Sequence, residues 1–265
     1  MKKPMEYYSK SLKIVSKKLK GKRHAIAVDR LERFSAMIYK QTKDRNEKFD
    51  LIIAPGNSGL FMAEITAMVY THLDMRLPEV HVIPIYRDGT DNSYEIKVKA
   101  NEVKNVLFVD DEIMTGTSLK HCILSLIPQA NSSHIDFVVV TENMFFEWHN
   151  RIPGISVYFY PYAKTVHGLT NNISFLLNDK DFKKISKIVP VIAEKKQVMA
   201  LLLSGKVKDK DNDGNWYFDE TVETKVSRRL EEYPMMKRHL VNEINIHIKS
   251  GIQNYKDGDI EFGVK

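Results

Sequence analysis

Two adjacent carboxylates, followed at short range by hydroxyls grouped around a glycine, are the residues of this chain best suited to chemistry. They are Asp110 and Asp111, then Thr115, Gly116, Thr117 and Ser118, all within the stretch VLFVDDEIMTGTSL from Val106 to Leu119. Paired acids can accept hydrogen bonds from a vicinal diol or hold a hydrated Mg²⁺. A glycine in a loop that opens a helix lets the backbone approach an anion, and the free N–H groups of the first helical turn attract negative charge. Three neighbouring hydroxyls add donors. Together these groups describe a cradle for a ribose 5-phosphate.

The flanking pattern says what must position them. Val106 to Val109 is an apolar run of the length of a buried strand, and Leu119, Ile123, Leu124 and Ile127 recur at helical spacing. A second unit of the same grammar lies upstream. Asp50 to Pro55 predicts the first core strand, Pro55-Gly56-Asn57-Ser58-Gly59 a tight loop, and Leu60, Met62, Ala63, Ile65, Ala67 and Met68 a buried helix. Two such loops on neighbouring strands could flank one doubly phosphorylated ligand. Glu79 to Tyr86 predicts a further strand, Arg87 to Ser93 a run of loop formers, and Ile96 and Val98, alternating with lysines, an edge strand or hairpin arm. Ile135 to Val140 is another β-rich run, ending at Thr141-Glu142. Strand–helix–strand units from 50 to 142 predict an α/β fold: a central, mostly parallel sheet flanked by helices, with ligands at the carboxyl ends of the strands.

The stretch Val106 to Leu119 closely resembles the phosphoribosyl-pyrophosphate (PRPP) signature of the type I phosphoribosyltransferases: apolar residues, two acids, a few variable positions, then Thr-Gly-Thr-Thr or Ser. The resemblance implies that Asp110 and Asp111 are catalytic and meet the ribose hydroxyls, with Mg²⁺ as cofactor held in part, or through water, by the same two acids. Thr115, Gly116, Thr117 and Ser118 would bind the 5-phosphate. Pro55, Gly56, Asn57 and Ser58, joined by Arg87, would bind pyrophosphate. Many relatives place an Arg or Lys in that first loop, so pyrophosphate here would be held mainly by backbone N–H groups. The segment after Tyr86 occupies the place of the mobile loop that closes over PRPP and excludes water. The implied reaction moves 5-phosphoribose to a nitrogen acceptor and releases pyrophosphate; the implied protein is a cytoplasmic homo-oligomer acting in nucleotide metabolism.

The acceptor is less defined. Relatives acting on hypoxanthine and guanine commonly carry an acid just before the Thr-Gly pair, and this chain has Met114 there. Adenine, orotate, uracil and non-nucleobase acceptors remain open. Residues 143 to 170 concentrate aromatic side chains, including Phe145, Phe146, Trp148, Tyr158 and Tyr160. They are read either as a clamp for a planar acceptor or as strand core, with Tyr162, Lys164 and His167 as candidate acceptor contacts.

The remaining chain is organised around this core. Residues 6 to 20 predict an amphipathic helix ended by Gly21, and 28 to 43 a second helix. The expected division is an N-terminal helical segment over 1–44, the α/β domain over 45–170, and a mainly helical C-terminal region over 171–265. Within the last, Asp209 to Glu220 (DKDNDGNWYFDE) fits either the Ca²⁺ loop of an EF-hand or a hairpin turning at Asp213-Gly214. At 43% hydrophobic and 28% charged residues, the chain has the composition of a soluble globular protein, with no membrane-spanning run and no signal peptide. The single Cys122 allows no internal disulfide. A net charge of +6 suits polyphosphate substrates, and equally a rival reading: a non-catalytic PRPP-sensing regulator that binds nucleic acid.

Overall fold

The computed structural model describes residues 4–46, 48–83, 103–113, 115–126, 134–142, 152–163, 169–188, 202–203 and 233–262. Among the described residues, five strands form one sheet: β1 (Leu51–Pro55), β2 (Glu79–Ile83), β3 (Asn105–Val109), β4 (Ile135–Thr141) and β5 (Ile155–Pro161). Their order is β2-β1-β3-β4-β5 and every pairing is parallel. An all-parallel sheet is covered on both faces, which is why its inner strands read as continuous apolar runs rather than alternating ones. Ile52, Ala54, Leu107, Val109, Val138 and Val140 face one apolar cluster, while Leu51, Ile53, Val106, Phe108, Phe137 and Val139 face the other.

Helix α3 (Thr117–Leu126) closes the second face with Leu119, Cys122, Ile123 and Leu126. The first face carries α1 (Pro4–Tyr39), α2 (Gly56–His72) and α6 (Tyr233–Lys256). Between β5 and α6 lie the short α4 (Leu169–Asn172), a 3₁₀ turn over Ile173–Leu176, and α5 (Asp179–Ile188).

The N-terminal region corrects the expectation of two helices. Residues 4 to 39 form one helix, continued by a π-helical turn over Lys40–Asp44, and Gly21 does not end it. A glycine inside a helix costs only about 1 kcal/mol, and the helix has partners on either side of Gly21: Lys20 pairs with Asp179, and the Arg23 guanidinium lies 5.4 Å from the Phe175 ring centroid.

Helices α1 and α6 cross at close range. A Cβ on Gly251 would lie 2.3 Å from the Glu32 carbonyl oxygen, so only glycine lets the backbones meet there. The Glu32 carboxylate accepts a bond from Asn254 Nδ2 at 3.2 Å and sits 3.1 Å from His247 Nδ1. Leu240, Ile244, Ile248 and Ile252 from α6 join Ala27, Leu31 and Phe34 from α1 in the cluster that also covers the sheet. Each full burial of this kind contributes about 1.5–3 kcal/mol before entropy is counted. The three expected segments therefore share one core.

Candidate functional site

In an open parallel sheet ordered 2-1-3-4-5, connections leave β1 and β3 toward opposite faces, and a crevice opens between the carboxyl ends of those two strands. Both predicted anion loops are at that crevice, because β1 and β3 are hydrogen-bonded neighbours.

The acids extend β3 beyond its last regular residue. Asp110 N donates to Val140 O at 3.3 Å and Glu142 N donates to Asp111 O at 3.0 Å. The charge of Asp110, after burial itself, helps push the Cys122 thiol up, and both acids act on the phenol of Tyr162. Both are nearly buried, at 6% and 5% exposure, and Asp111 N donates to Asp110 Oδ1 at 2.9 Å.

The chain then turns through Gly116, whose φ of +74° is the left-handed region that favours glycine. Gly116 O accepts from Lys120 N at 2.9 Å, which starts α3, and the Thr115 and Thr117 hydroxyls lie 2.9 Å apart. Thr115 and Thr117 are exposed and Ser118 is half-buried. The first-turn N–H groups of α3 have no intrahelical acceptor and open on the same edge.

At β1 the expected five-residue loop is absent: α2 begins at Gly56, directly after the strand. Gly56 has a φ of +55°. A Cβ on Gly59 would lie 2.6 Å from Pro55 Cδ and 2.7 Å from the Ala54 carbonyl carbon. Glycine thus lets the first turn of α2 press against the strand end. Ser58 is half-buried within this turn.

One feature was not foreseen. Glu142, fully buried at the end of β4, accepts from Arg30 Nε at 2.5 Å and from Leu169 N at 3.1 Å. One carboxylate thereby ties α1, the sheet and the start of α4 together beside Asp111. Arg30 also contacts Asp29 on its own helix. The signal was present in the sequence: Arg30 falls at i+3 from Ala27 and i−4 from Phe34, a charge inside an apolar stripe.

Tyr162 needs correcting. Its ring is 1% exposed and packs edge-on against Phe34 at 5.4 Å, so it is core, not a wall open to an acceptor. Its hydroxyl has no hydrogen-bond partner among the described residues. Burial, then the charges of Glu142 and Asp111, push its phenol well above the usual tyrosine value. Tyr162 follows β5 directly, where Phe34 of α1 covers it. Arg87, Lys164, His167, Met114, the 143–150 aromatics, the loop after Tyr86 and the run from Asp209 to Glu220 lie outside the described residues.

Among the described residues, no group of three or more His, Cys, Asp or Glu is arranged to hold a metal ion. No helix among them is long and apolar enough to cross a membrane. Compared with known proteins, the chain matches no family model, no curated sequence and no solved structure. The described residues form an α/β protein built on an all-parallel sheet, with two helix N-termini following neighbouring central strands.

Proposed function

We propose that this chain is a PRPP-dependent phosphoribosyltransferase. One observation supports the reading: the acids and both helix N-termini follow β1 and β3, two hydrogen-bonded neighbours, and so lie at the carboxyl ends of adjacent strands. One N-terminus alone would suit any anion. Two of them flanking a carboxylate pair suit a sugar phosphorylated at both ends.

The roles follow from the resemblance to the PRPP signature. The α3 turn, with Thr115, Gly116, Thr117 and Ser118, takes the 5-phosphate, and the α2 turn at Pro55 to Ser58, joined by Arg87, takes the pyrophosphate. Asp110 and Asp111 accept hydrogen bonds from the ribose hydroxyls and counter the positive charge that develops on the ribose. The bond from the anomeric carbon to pyrophosphate breaks as a bond to the acceptor nitrogen forms, and the acceptor loses a proton. The transition state is oxocarbenium-like, so charge placement rather than covalent chemistry is what the protein supplies.

A donor set of two carboxylates fits Mg²⁺ that arrives on ligand oxygens better than a metal caged by protein. Asp110 and Asp111 would hold it directly or through water, and it would neutralise the leaving pyrophosphate.

Calorimetry with PRPP and Mg²⁺ on the wild type and on Asp110→Asn/Asp111→Asn tests the reading, followed by pyrophosphate release against a panel of nitrogen bases. Binding by the wild type alone, with release triggered by one base, is the expected result. Binding without release from any base would favour the sensor. No binding of PRPP would end the proposal.

A further inference from the structure

At the opposite end of the sheet, near the amino-terminal ends of β3 and β4, lies a cleft of about 440 Å³ that the proposed transferase chemistry does not use. Its volume is that of a small-molecule site. Arg45, Lys48, Asn105, Asp136, Tyr158 and Tyr160 line it.

Tyr158 and Tyr160 stand two residues apart on β5, hence on one face of the sheet and roughly 6.6 Å apart along it. β5 is an edge strand, and Tyr158 is 48% exposed, one of few large hydrophobic side chains so placed among the described residues. A large, flat, exposed ring on a sheet face is a stacking surface. Beside it the guanidinium of Arg45 is held in place. Its Nη1 donates to Tyr160 Oη at 2.6 Å and to Gln41 Oε1 at 3.1 Å, and it lies 5.1 Å from the Tyr160 ring centroid. Lys48 is exposed at the rim, on the segment where Asn46 takes a left-handed φ of +54°. The wall thus offers a ring for stacking, an ordered guanidinium and an exposed ammonium for phosphate, and amide and carboxylate groups from Asn105 and Asp136 for the edge of a base. Asp136 accepts but cannot donate when ionised, which favours a base bearing an exocyclic amine.

We propose that this cleft binds one nucleotide unit, its base stacked on Tyr158 and its phosphate met by Arg45 and Lys48. The same chemistry is found in a free nucleotide and in a single strand of nucleic acid. The overall charge of +6 accords with either.

Fluorescence anisotropy with labelled single-stranded DNA and RNA ten-mers of mixed sequence tests this, with AMP, CMP, GMP and UMP as competitors. Tyr158→Ala should weaken binding roughly 5- to 150-fold, as loss of one stacked base does. Lys48→Gln should lower the slope of log K against log salt by about 0.7 for a single strand. Both residues are exposed, so neither change threatens the fold. Competition by mononucleotides at concentrations that displace the strand supports a free nucleotide as the source. Binding of strands alone supports nucleic acid. Absence of binding at low salt, or unchanged affinity in Tyr158→Ala, would overturn the proposal. Asp110→Asn/Asp111→Asn should leave this binding intact, so failure here and failure of the transferase reading are separate results.

Discussion

Replacing Glu142 by Gln keeps the shape of the side chain and removes its charge, leaving Arg30 facing a neutral amide. The pair is shielded at both ends: side-chain exposure is 10% for Arg30 and 0% for Glu142. Removing one partner of a buried pair costs about 3–5 kcal/mol, because the remaining charge is left in a poorly solvating interior. Asp29 still contacts Arg30 from the same helix and blunts the loss, which places the expected cost near the low end, about 3 kcal/mol. The new amide would also keep only one accepting oxygen for two donors, Arg30 Nε and Leu169 N. A double-mutant cycle separates these contributions. Arg30→Met, Glu142→Gln and the double variant, unfolded in urea and followed by circular dichroism, should show a coupling energy of at least about 1.5 kcal/mol, with the double variant less damaged than the sum of the singles. Single costs that add to within about 0.5 kcal/mol would refute the argument that the two charges depend on each other.

Three further outcomes are expected. Gly251→Ala should force α1 and α6 apart, since the new Cβ would also lie 2.6 Å from Glu32 Cα; overpacking of this kind costs about 1–3 kcal/mol or more, read from the urea midpoint. Gly116→Ala should cost about 1–2 kcal/mol at its positive φ and weaken PRPP binding measured by calorimetry, while Gly116→Asn, which tolerates that conformation, should cost less. Stability should fall above pH 10. Burial holds the phenols of Tyr70 and Tyr162 protonated to higher pH than in the unfolded chain, so their contribution is complete below the ordinary value of 10.0 and is lost as pH climbs toward the folded values. Each adds a slope of about 1.4 kcal/mol per pH unit in that window. Tyr162→Phe, which removes a hydroxyl lacking a described partner, should flatten the decline without loss at pH 7, as urea midpoints at pH 8 and 11 would reveal.

Where a residue's fate is set locally, the sequence was a good guide. The strand from Asn105 to Val109, the turn at Gly116 and the helix from Thr117 are specified by apolar runs and a glycine that act within a dozen residues, and they form as expected. Gly59 was assigned to a loop because glycine-rich stretches usually break regular structure, whereas here its missing side chain admits a helix against the strand. Gly21 misled for the complementary reason: partners more than a hundred residues away hold the helix through it. Glu142 was read only as the end of a strand, and Tyr162 as an acceptor contact, because their surroundings come from α1, which no local pattern connects to the end of β4 or β5.

The seam between α1 and α6 has a consequence for the order in which the chain can become a protein. Glu32 meets residues 247 and 254, so this part of the interior stays unfinished until the chain has been made past residue 254. During synthesis the apolar stripe of α1, with Leu31 and Phe34, must wait without its final cover, a period in which it is a target for chaperones and for self-association. A version cut after residue 232 would keep every described strand and the N-termini of α2 and α3, yet it should remain in that waiting state and aggregate.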